Sequence, residues 1–212
     1  AITGREFLWN FHHQIICDAL ERVLCGLDNR LIITMPPRFT KTELAVKMFS
    51  SFAMGHYPNS EFIHTSYSAS LAANNSYMIR NMMRHESYAE LFSGVTLAVD
   101  SKAKDHWKTE QGGVFYATGS DGAITGFGAG KTGGSEFSGA LIIDDPHKAQ
   151  EAKRSKASRE AVKDFYKGTA ESRLNSESTP IIVIQQRLRG EDLAGWLLGG
   201  GSGEVCKRLD LR

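Results

Sequence analysis

Lys41 and Thr42 are the residues whose types and position most clearly suggest chemistry. They follow a short apolar run and stand at the start of a helical pattern, where a phosphate-binding loop presents its lysine and its magnesium-holding hydroxyl. The usual loop contains two glycines, but Met35 and Thr40 occupy their places. Because glycine suits sharp bends near a ligand, the alternative for residues 35–42 is an ordinary strand, turn and helix with a solvated lysine.

A second segment, 141–145, is an apolar run that ends in Asp144 and Asp145. A strand of this kind delivers carboxylates to the edge of a sheet, where the first can bind Mg²⁺ and the second can polarise an attacking water. We therefore predict Asp144 for the metal and Asp145 for the water, with Glu151 as the fallback for the water. The alternative is a helix start, because Asp-Asp-Pro also suits a helix cap.

Polar side chains also follow the apolar run at 180–186. Gln186 could sense the terminal phosphate of a nucleotide from the end of a neighbouring strand, and Arg187 could stabilise charge in a transition state. The alternative for Arg187 is a surface arginine near a turn. Together these three segments predict a nucleoside-triphosphate site that takes ATP and Mg²⁺.

A glycine-rich segment, 126–134, contains another lysine–threonine pair at Lys131 and Thr132. No apolar helix follows this pair, and the next predicted strand begins too soon for a crossover helix. We therefore predict a mobile glycine loop rather than the main phosphate loop. Lys131 is either solvated or reaches a phosphate, in its own site or in that of a neighbouring subunit.

The elements that must position these residues alternate between helices and short apolar strands. We predict helices at 5–27, 41–54, 69–85, 150–174 and 191–198. We predict strands at 30–35, 61–66, 95–100, 113–118, 140–144 and 180–186. This alternation predicts an α/β fold with a mainly parallel central sheet flanked by helices, whose ligands bind at the carboxyl ends of the strands.

Two of these helices carry patterns that predict their buried and exposed faces. The core-facing stripe of the first helix includes Phe11, Ile15, Ala19 and Val23. That of the helix at 150–174 includes Ala157, Ala161 and Phe165. The stretch 148–173 carries eight Lys and Arg against four Asp and Glu, so its exposed face is either solvated or touches DNA phosphates.

Composition narrows the class of protein. The 212 residues suffice for one sizeable domain, and a net charge of +1 gives no general attraction to nucleic acid or membrane. Three cysteines without metal-like spacing indicate reduced thiols in a cytoplasmic protein. No apolar run is long enough to span a bilayer, and no signal peptide is visible. Because the chain begins without methionine, we expect a fragment or a processed product.

In the order and spacing of five segments the chain resembles the ATPase domain of the large terminase subunit of tailed bacteriophages, a viral DNA-packaging motor. The segments are FHHQIICDALE (11–21), RLIITMPPRFTKTELA (30–45), SYSASLAANNS (66–76), ALIIDDPHK (140–148) and IIVIQQRLRGEDLAGWLL (181–198). The resemblance implies a P-loop NTPase fold of the ASCE type over residues 1–198. Residues 199–212 would be a glycine-rich connector and the start of a linker towards a C-terminal nuclease domain, so we expect no nuclease activity of this chain.

The same resemblance assigns roles within the predicted site. The phosphate loop would bind nucleotide through Pro37, Arg38, Phe39, Thr40, Lys41, Thr42 and Glu43. Arg38 and Arg187 would act with Asp145 in catalysis, while Thr42 and Asp144 would hold Mg²⁺.

Further assignments extend beyond the phosphate loop. Gln14 resembles the glutamine that reads adenine in related motors, the alternative being an exposed helix residue. Gln186 would bind nucleotide in the segment that couples hydrolysis to DNA movement, where this family often has threonine. Hydrolysis in a ring would also need a cation from the neighbouring subunit, for which the candidates are Lys131, Arg154 and Arg159.

The implied activity is ATP hydrolysis that moves double-stranded DNA into a procapsid in the cytoplasm of an infected bacterial host. The implied partners are double-stranded DNA, the portal protein, the small terminase subunit and further copies in a ring on the capsid, with a monomeric or weakly associated free state and no membrane contact. Two alternatives remain. One is a helicase-like or other nucleic-acid-remodelling ATPase, and the other is a nucleotide-binding assembly module whose turnover is weak because Thr40 replaces glycine.

Overall fold

Seven strands form one sheet in the computed structural model, which describes residues 7–211 except 121, 123 and 135. The strands are β1 Arg30–Thr34, β2 Glu61–Ser66, β3 His106–Lys108, β4 Val114–Gly119, β5 Leu141–Asp144, β6 Ile181–Gln185 and β7 Lys207–Asp210. Their order across the sheet is β3-β4-β2-β5-β6-β1-β7. All neighbours are parallel except β3 and β4, so the carboxyl ends of β1, β2, β5 and β6 lie at one edge.

Helices flank this sheet on both faces. They are α1 Phe11–Leu24, α2 Phe49–His56, α3 Ala69–Met83, α4 Glu86–Leu91, α5 Ala149–Arg154, α6 Lys156–Phe165 and α7 Leu193–Leu198. A π-helical stretch, Glu43–Met48, leads into α2, and α6 continues through π-helical Tyr166–Ala170 into a 3₁₀ turn, Glu171–Arg173. The fold is therefore α/β with a mostly parallel sheet, as predicted.

Two hydrophobic cores lie on opposite faces of the sheet. Ile142 of β5 packs with residues of α1, α2 and α3, whereas Leu141 and Ile143 pack with α6 and α7. Because side chains alternate along a strand, a strand buried on both faces needs an unbroken apolar run. This is why β5 and its neighbours are recognisable in the sequence as short runs of Leu, Ile and Val.

The sheet departs from the prediction at its edges. The strand predicted at 95–100 is wrong, because that segment makes only an isolated bridge between Leu97 and Thr109. The outer strand is β3 instead, antiparallel to β4. Part of the predicted connector at 199–212 forms β7, which pairs with β1 and carries the sheet to Asp210.

The buried faces of two helices agree with the prediction only in part. In α1, Ala19 and Val23 are buried as predicted, but Phe11 is 69% exposed, and the buried His12 and His13 occupy the inward face beside it. In α6, Ala157 and Ala161 are exposed, so this predicted stripe is wrong except at Phe165. In each helix a buried polar side chain finds a partner inside the protein, His13 in α1 and Arg159 in α6, and a hydrophobic pattern does not register such residues.

Among the described residues no helix is both long and apolar enough to cross a membrane. The three cysteines, Cys17, Cys25 and Cys206, are free thiols.

Candidate active site

The loops after β1 and β5 meet at the carboxyl edge of the sheet, although β6 lies between the two strands. Lys41 Nζ donates a hydrogen bond to Asp145 Oδ2 at 2.7 Å. The Thr42 hydroxyl donates to Asp144 Oδ2 at 2.8 Å. Lys41 and Asp144 are 7% and 1% exposed. The structure therefore brings four predicted site residues together as two side-chain pairs.

The backbone holds Asp145 at the sharp turn that ends β5. Its φ is 40°, an uncommon conformation for a residue with a side chain. Its N–H donates to Ile184 O at 2.7 Å, and its carbonyl accepts from Tyr67 N–H at 3.3 Å. The Gln186 backbone N–H donates to Asp145 Oδ1 at 3.1 Å. Since Lys41 engages Oδ2, both carboxylate oxygens have partners, and the carboxylate is fixed beside the lysine.

The adjacent carboxyl groups of Asp144 and Asp145 make it unfavourable to ionise both of them at this edge. Burial, followed by the nearby charge of Asp145, raises the pKa of Asp144 to about 7, against the opposing hydrogen bond from Thr42. A buried carboxylate is stabilised by a cation or by strong hydrogen bonds. Asp144 is therefore suited to receive a positive charge.

Unpartnered buried polar atoms also lie at the ends of the strands that flank β5. The Thr65 and Ser66 hydroxyls at the end of β2 have no hydrogen-bond partner within the described part of the chain, and neither has the side-chain amide of Gln185 at the end of β6. These strands flank β5. Buried polar groups in folded proteins are nearly always satisfied, so the edge is equipped to bind water or a polar ligand.

The phosphate-loop candidate has two residues in the left-handed region, Arg38 with φ 69° and Thr40 with φ 60°. Pro37, Arg38 and Phe39 are exposed. Arg38 has no hydrogen bond or ion pair to any described residue, so its guanidinium is available to an anion. Glu43, the last residue predicted to bind nucleotide here, pairs instead with Lys47 at 2.8 Å.

A residue that the sequence reasoning missed connects α1 to this loop. His13 Nε2 lies 2.9 Å from the Thr40 hydroxyl, and the ring is 3% exposed. The available signal was the Asn10 helix cap, because His13 is the third residue of α1 and completes a capping box with Asn10. Nothing in that signal reveals the contact with Thr40.

Gln14, predicted to read adenine, is not brought to the loop. It is exposed on α1, and its amide donates to Asp18 Oδ1 at 2.6 Å. The adjacent His13 faces the loop instead, because neighbouring residues of a helix point in different directions.

Arg187 has a structural partner. Its guanidinium Nε lies 3.1 Å from Oδ1 of Asp192, which is fully buried. Asp192 also accepts hydrogen bonds from Leu188 N–H and Arg189 N–H, at 2.8 and 3.2 Å. Taking Arg187 to a substrate would leave a buried carboxylate without its cation, which is unfavourable. The Gln186 backbone, by contrast, contacts Asp145 directly.

The three candidates for action in a neighbouring site lie in different environments. Gly130 N–H donates to Glu61 O at the start of β2, so Lys131 lies at the amino edge of the sheet. This strand of six residues separates the two edges by roughly 20 Å, and the alternative that Lys131 reaches its own site is therefore wrong. Arg154 is exposed and forms no ion pair with a described residue.

Arg159, the third candidate, is buried. Its guanidinium donates to Ala152 O at 2.7 Å and to Ser155 O at 3.1 Å, and it pairs with Glu191 at 3.1 Å. These bonds tie α5 and α6 to the loop before α7, so Arg159 has a structural role and is not free to enter a neighbouring site.

A cavity of about 500 Å³ opens beside Asp145. Tyr67, His147 and Gln186 contribute to its lining, and so does Glu151, the fallback for water activation. Glu151 is exposed and pairs with Lys148 at 3.5 Å. The cavity gives small molecules access to Asp145.

The fold and site together define an α/β protein with a lysine–carboxylate pair and a hydroxyl–carboxylate pair at the carboxyl edge of a parallel sheet. No family model matches the sequence, and no curated protein is significantly similar to it.

Proposed function

We propose that this chain is the ATPase motor domain of a viral DNA-packaging terminase, with a P-loop fold of the ASCE type. The observation that carries the proposal is the pairing of Lys41 with Asp145 and of Thr42 with Asp144 at one sheet edge. Parallel α/β sheets bind ligands at this edge. A lysine and a hydroxyl opposite two carboxylates are the groups that ATP hydrolysis with Mg²⁺ requires.

Substrate binding falls to the loop after β1. Lys41 would exchange its contact with Asp145 for the outer phosphates of ATP, and the exposed Arg38 would add a second positive charge. Phe39 is 48% exposed and makes an edge contact with the His12 ring, with centroids 5.7 Å apart, so one face of the loop offers an aromatic surface to the nucleotide.

The residues present fit a magnesium ion. Thr42 and Asp144 offer only oxygen atoms, which Mg²⁺ prefers, and this ion keeps several waters and substrate oxygens as ligands. When bound, Mg²⁺ neutralises negative charge on the phosphates. Thr42 and Asp144 would hold it.

Water activation falls to Asp145. Its Oδ1 is held by the Gln186 backbone N–H and its Oδ2 by Lys41. When phosphate attracts Lys41, Oδ2 becomes free to accept a proton from water, while the bond to Gln186 keeps the carboxylate oriented. Substrate binding and the release of the base are thereby linked through one lysine.

The partners of the proposed motor are double-stranded DNA, the portal protein, the small terminase subunit and further copies of the chain in a ring, in the cytoplasm of a bacterial host. Of the three cations considered for action in a neighbouring site, Arg154 has both the exposure and the freedom from ion pairs that this role requires. Double-stranded DNA would be moved by the assembled ring.

The test is ATP binding and hydrolysis with Mg²⁺ by this chain and its Lys41→Ala variant. We expect the parent to bind ATP and the variant to lose binding by at least about tenfold, with Lys102→Ala, which replaces an exposed lysine elsewhere, as the matched control. Equal binding by Lys41→Ala and the parent would contradict the proposed site. ATP binding without hydrolysis, also in a longer chain that forms rings, would favour the nucleotide-binding assembly module.

A further inference from the structure

Thr40 occupies a backbone conformation that its side chain disfavours. Its φ is 60°, in the left-handed region that glycine adopts freely and β-branched residues rarely enter. The following residue is Lys41, so the path of the chain at Thr40 sets the position of the lysine. Something in the structure must hold this conformation in place.

A chain of three hydrogen bonds runs from Asn10 through His13 and Thr40 to the Phe39 carbonyl. Asn10 N–H donates to His13 Nδ1 at 2.9 Å. His13 Nε2 lies 2.9 Å from the Thr40 hydroxyl, which in turn donates to Phe39 O at 2.6 Å. Because a backbone N–H can only donate, His13 Nδ1 must be the acceptor nitrogen. The proton of the neutral ring therefore lies on Nε2, which donates to the Thr40 oxygen.

The surroundings of His13 keep it neutral and fixed. The ring is buried among Phe7, Trp9 and His12, whose ring centroids lie 4.7, 5.5 and 3.9 Å away. Burial, followed by the neighbouring His12, lowers the pKa of His13. The bond from Asn10 also ties the ring to the start of α1, so the beginning of that helix is connected to the loop.

We propose that His13 is a positioning residue of the phosphate loop. Its Nε2–H holds the Thr40 hydroxyl and so keeps the residue before Lys41 in the left-handed conformation, which is the role that glycine fills in the usual loop. The inference deepens the proposed function and rests on it only in taking residues 35–42 to bind the phosphates of ATP.

The first test uses two substitutions that separate the hydrogen bond His13 accepts from Asn10 from the one it donates to Thr40. In His13→Asn the side-chain oxygen can still accept from Asn10 N–H, but no donor reaches Thr40. In His13→Gln the longer amide can still donate to Thr40. We expect His13→Asn to weaken ATP binding about fivefold, the usual contribution of one hydrogen bond, and His13→Gln to recover most of this loss. Equal affinities for His13→Asn and the parent would overturn the proposal.

The second test is a double-mutant cycle with Thr40→Gly. Glycine needs no side-chain bond to adopt a positive φ, so His13→Asn should change ATP affinity less than about twofold in that background. The matched control is His85→Asn, because the His85 ring also caps a helix, accepting from Ser87 N–H, but forms no hydrogen bond or ring contact with a described residue of the loop. An equal loss in both backgrounds would mean that His13 acts on folding alone, which overturns the proposal.

A third measurement needs no nucleotide. Nitrogen-15 NMR of the histidine rings should give His13 as the neutral form with its proton on Nε2, and Thr40→Val should shift the Nε2 resonance because the hydroxyl is lost. A proton on Nδ1, or no response to Thr40→Val, would contradict the hydrogen-bond chain. If the parent binds no ATP while these spectra are as expected, the proposed function fails and the positioning of Thr40 by His13 stands.

Discussion

Two segments of this chain contain a lysine followed by threonine, and they differ in both composition and place. Lys131 and Thr132 lie in the glycine-rich segment, which has the composition usual for a phosphate loop, at the amino edge of the sheet. Lys41 and Thr42 lie in a segment without glycine, at the carboxyl edge, and touch two aspartates. The same pair of residue types, lysine followed by threonine, therefore has very different surroundings in the two segments.

The difference concerns where the backbone is strained. Described residues other than glycine with positive φ are Arg38, Thr40 and Asp145, and all three lie in the two loops of the candidate site. In the other segment glycines take such conformations, at Gly126, Gly130 and Gly133. Strain retained by residues with side chains is typical of functional sites, whereas glycine at a turn indicates only that the chain must bend there. The two lysine–threonine pairs therefore differ both in their position at the sheet edge and in which residues take the positive φ.

The largest effect should separate the two lysines. We expect Lys41→Ala to reduce ATP turnover by about a thousandfold, the scale of losing one charge-stabilising donor in a transition state, whereas Lys131→Ala leaves the turnover of a single subunit unchanged. Steady-state hydrolysis with Mg²⁺ measures both. A larger loss in Lys131→Ala than in Lys41→Ala would reverse the comparison and make the glycine-rich segment the phosphate loop.

The glycine between the glycine-rich segment and β5, Gly139, should instead affect stability. Gly139 has φ 132°, and a Cβ there would lie 1.9 Å from Glu61 O. We expect Gly139→Ala to lower the free energy of unfolding by about 3 kcal/mol, because a backbone atom must move and the left-handed strain adds to this. Gly126→Ala is the matched control, since its φ is 77° and no atom lies within 4 Å of the added carbon. Equal losses in urea unfolding would contradict the steric argument.

Much of the fold could be predicted because its central strands are short runs buried on both faces. The predicted strand at 61–66 has the bounds of β2, and those at 140–144 and 180–186 differ from β5 and β6 only at their ends. The edge strand β7, Lys207–Asp210, carries only one apolar residue, Leu209. It forms by pairing with β1, and no local pattern of hydrophobicity marks such a strand.

Only those contacts of the candidate site that follow from the topology of the sheet could be predicted from the sequence. Lys41 and Asp145 were expected together because loops that follow parallel strands meet at one edge. The contact of His13 with Thr40 joins α1 to the loop after β1, and no residue spacing encodes it. The burial of Arg159 likewise depends on backbone carbonyls of α5 and its end, which are the same for every residue type.

The carboxyl edge should also lose stability as pH rises. The pKa of Asp144 is about 7 in the folded protein, above its ordinary value of 3.8, so between these values the folded state holds a proton that the unfolded state lacks. Stability contributed by the protonated group is present at low pH and is lost as pH rises through this window. We expect Asp144→Asn, in the absence of metal, to be at least about 2 kcal/mol more stable than the parent near pH 8, since each pKa unit corresponds to about 1.4 kcal/mol.

The same Asp144→Asn comparison near pH 4 provides the control. Asp144 is then protonated in the folded protein and only partly ionised in the unfolded chain, so the difference in unfolding free energy should largely vanish. Chelator is present throughout, so that no divalent cation stabilises the parent. A variant less stable than the parent at both pH values would show that this carboxylate carries no cost in the fold. The residues at the carboxyl edge, like Gly139 at the amino edge, would then contribute favourably to the free energy of unfolding.

The smallest effect is expected where strain and hydrogen bonding offset each other, at Thr40. Thr40→Gly relieves a left-handed backbone worth about 1–2 kcal/mol, but it loses the hydroxyl's hydrogen bonds and adds freedom to the unfolded chain. We expect the unfolding free energy to change by less than about 1 kcal/mol. Thr109→Gly is the matched control, because its hydroxyl also makes two hydrogen bonds, with Pro58 O and Gly113 N–H, at a backbone that does not have a positive φ. Thr109→Gly should lower the free energy of unfolding by about 2 kcal/mol. An equally large loss in Thr40→Gly would mean that the left-handed conformation in the loop after β1 costs nothing.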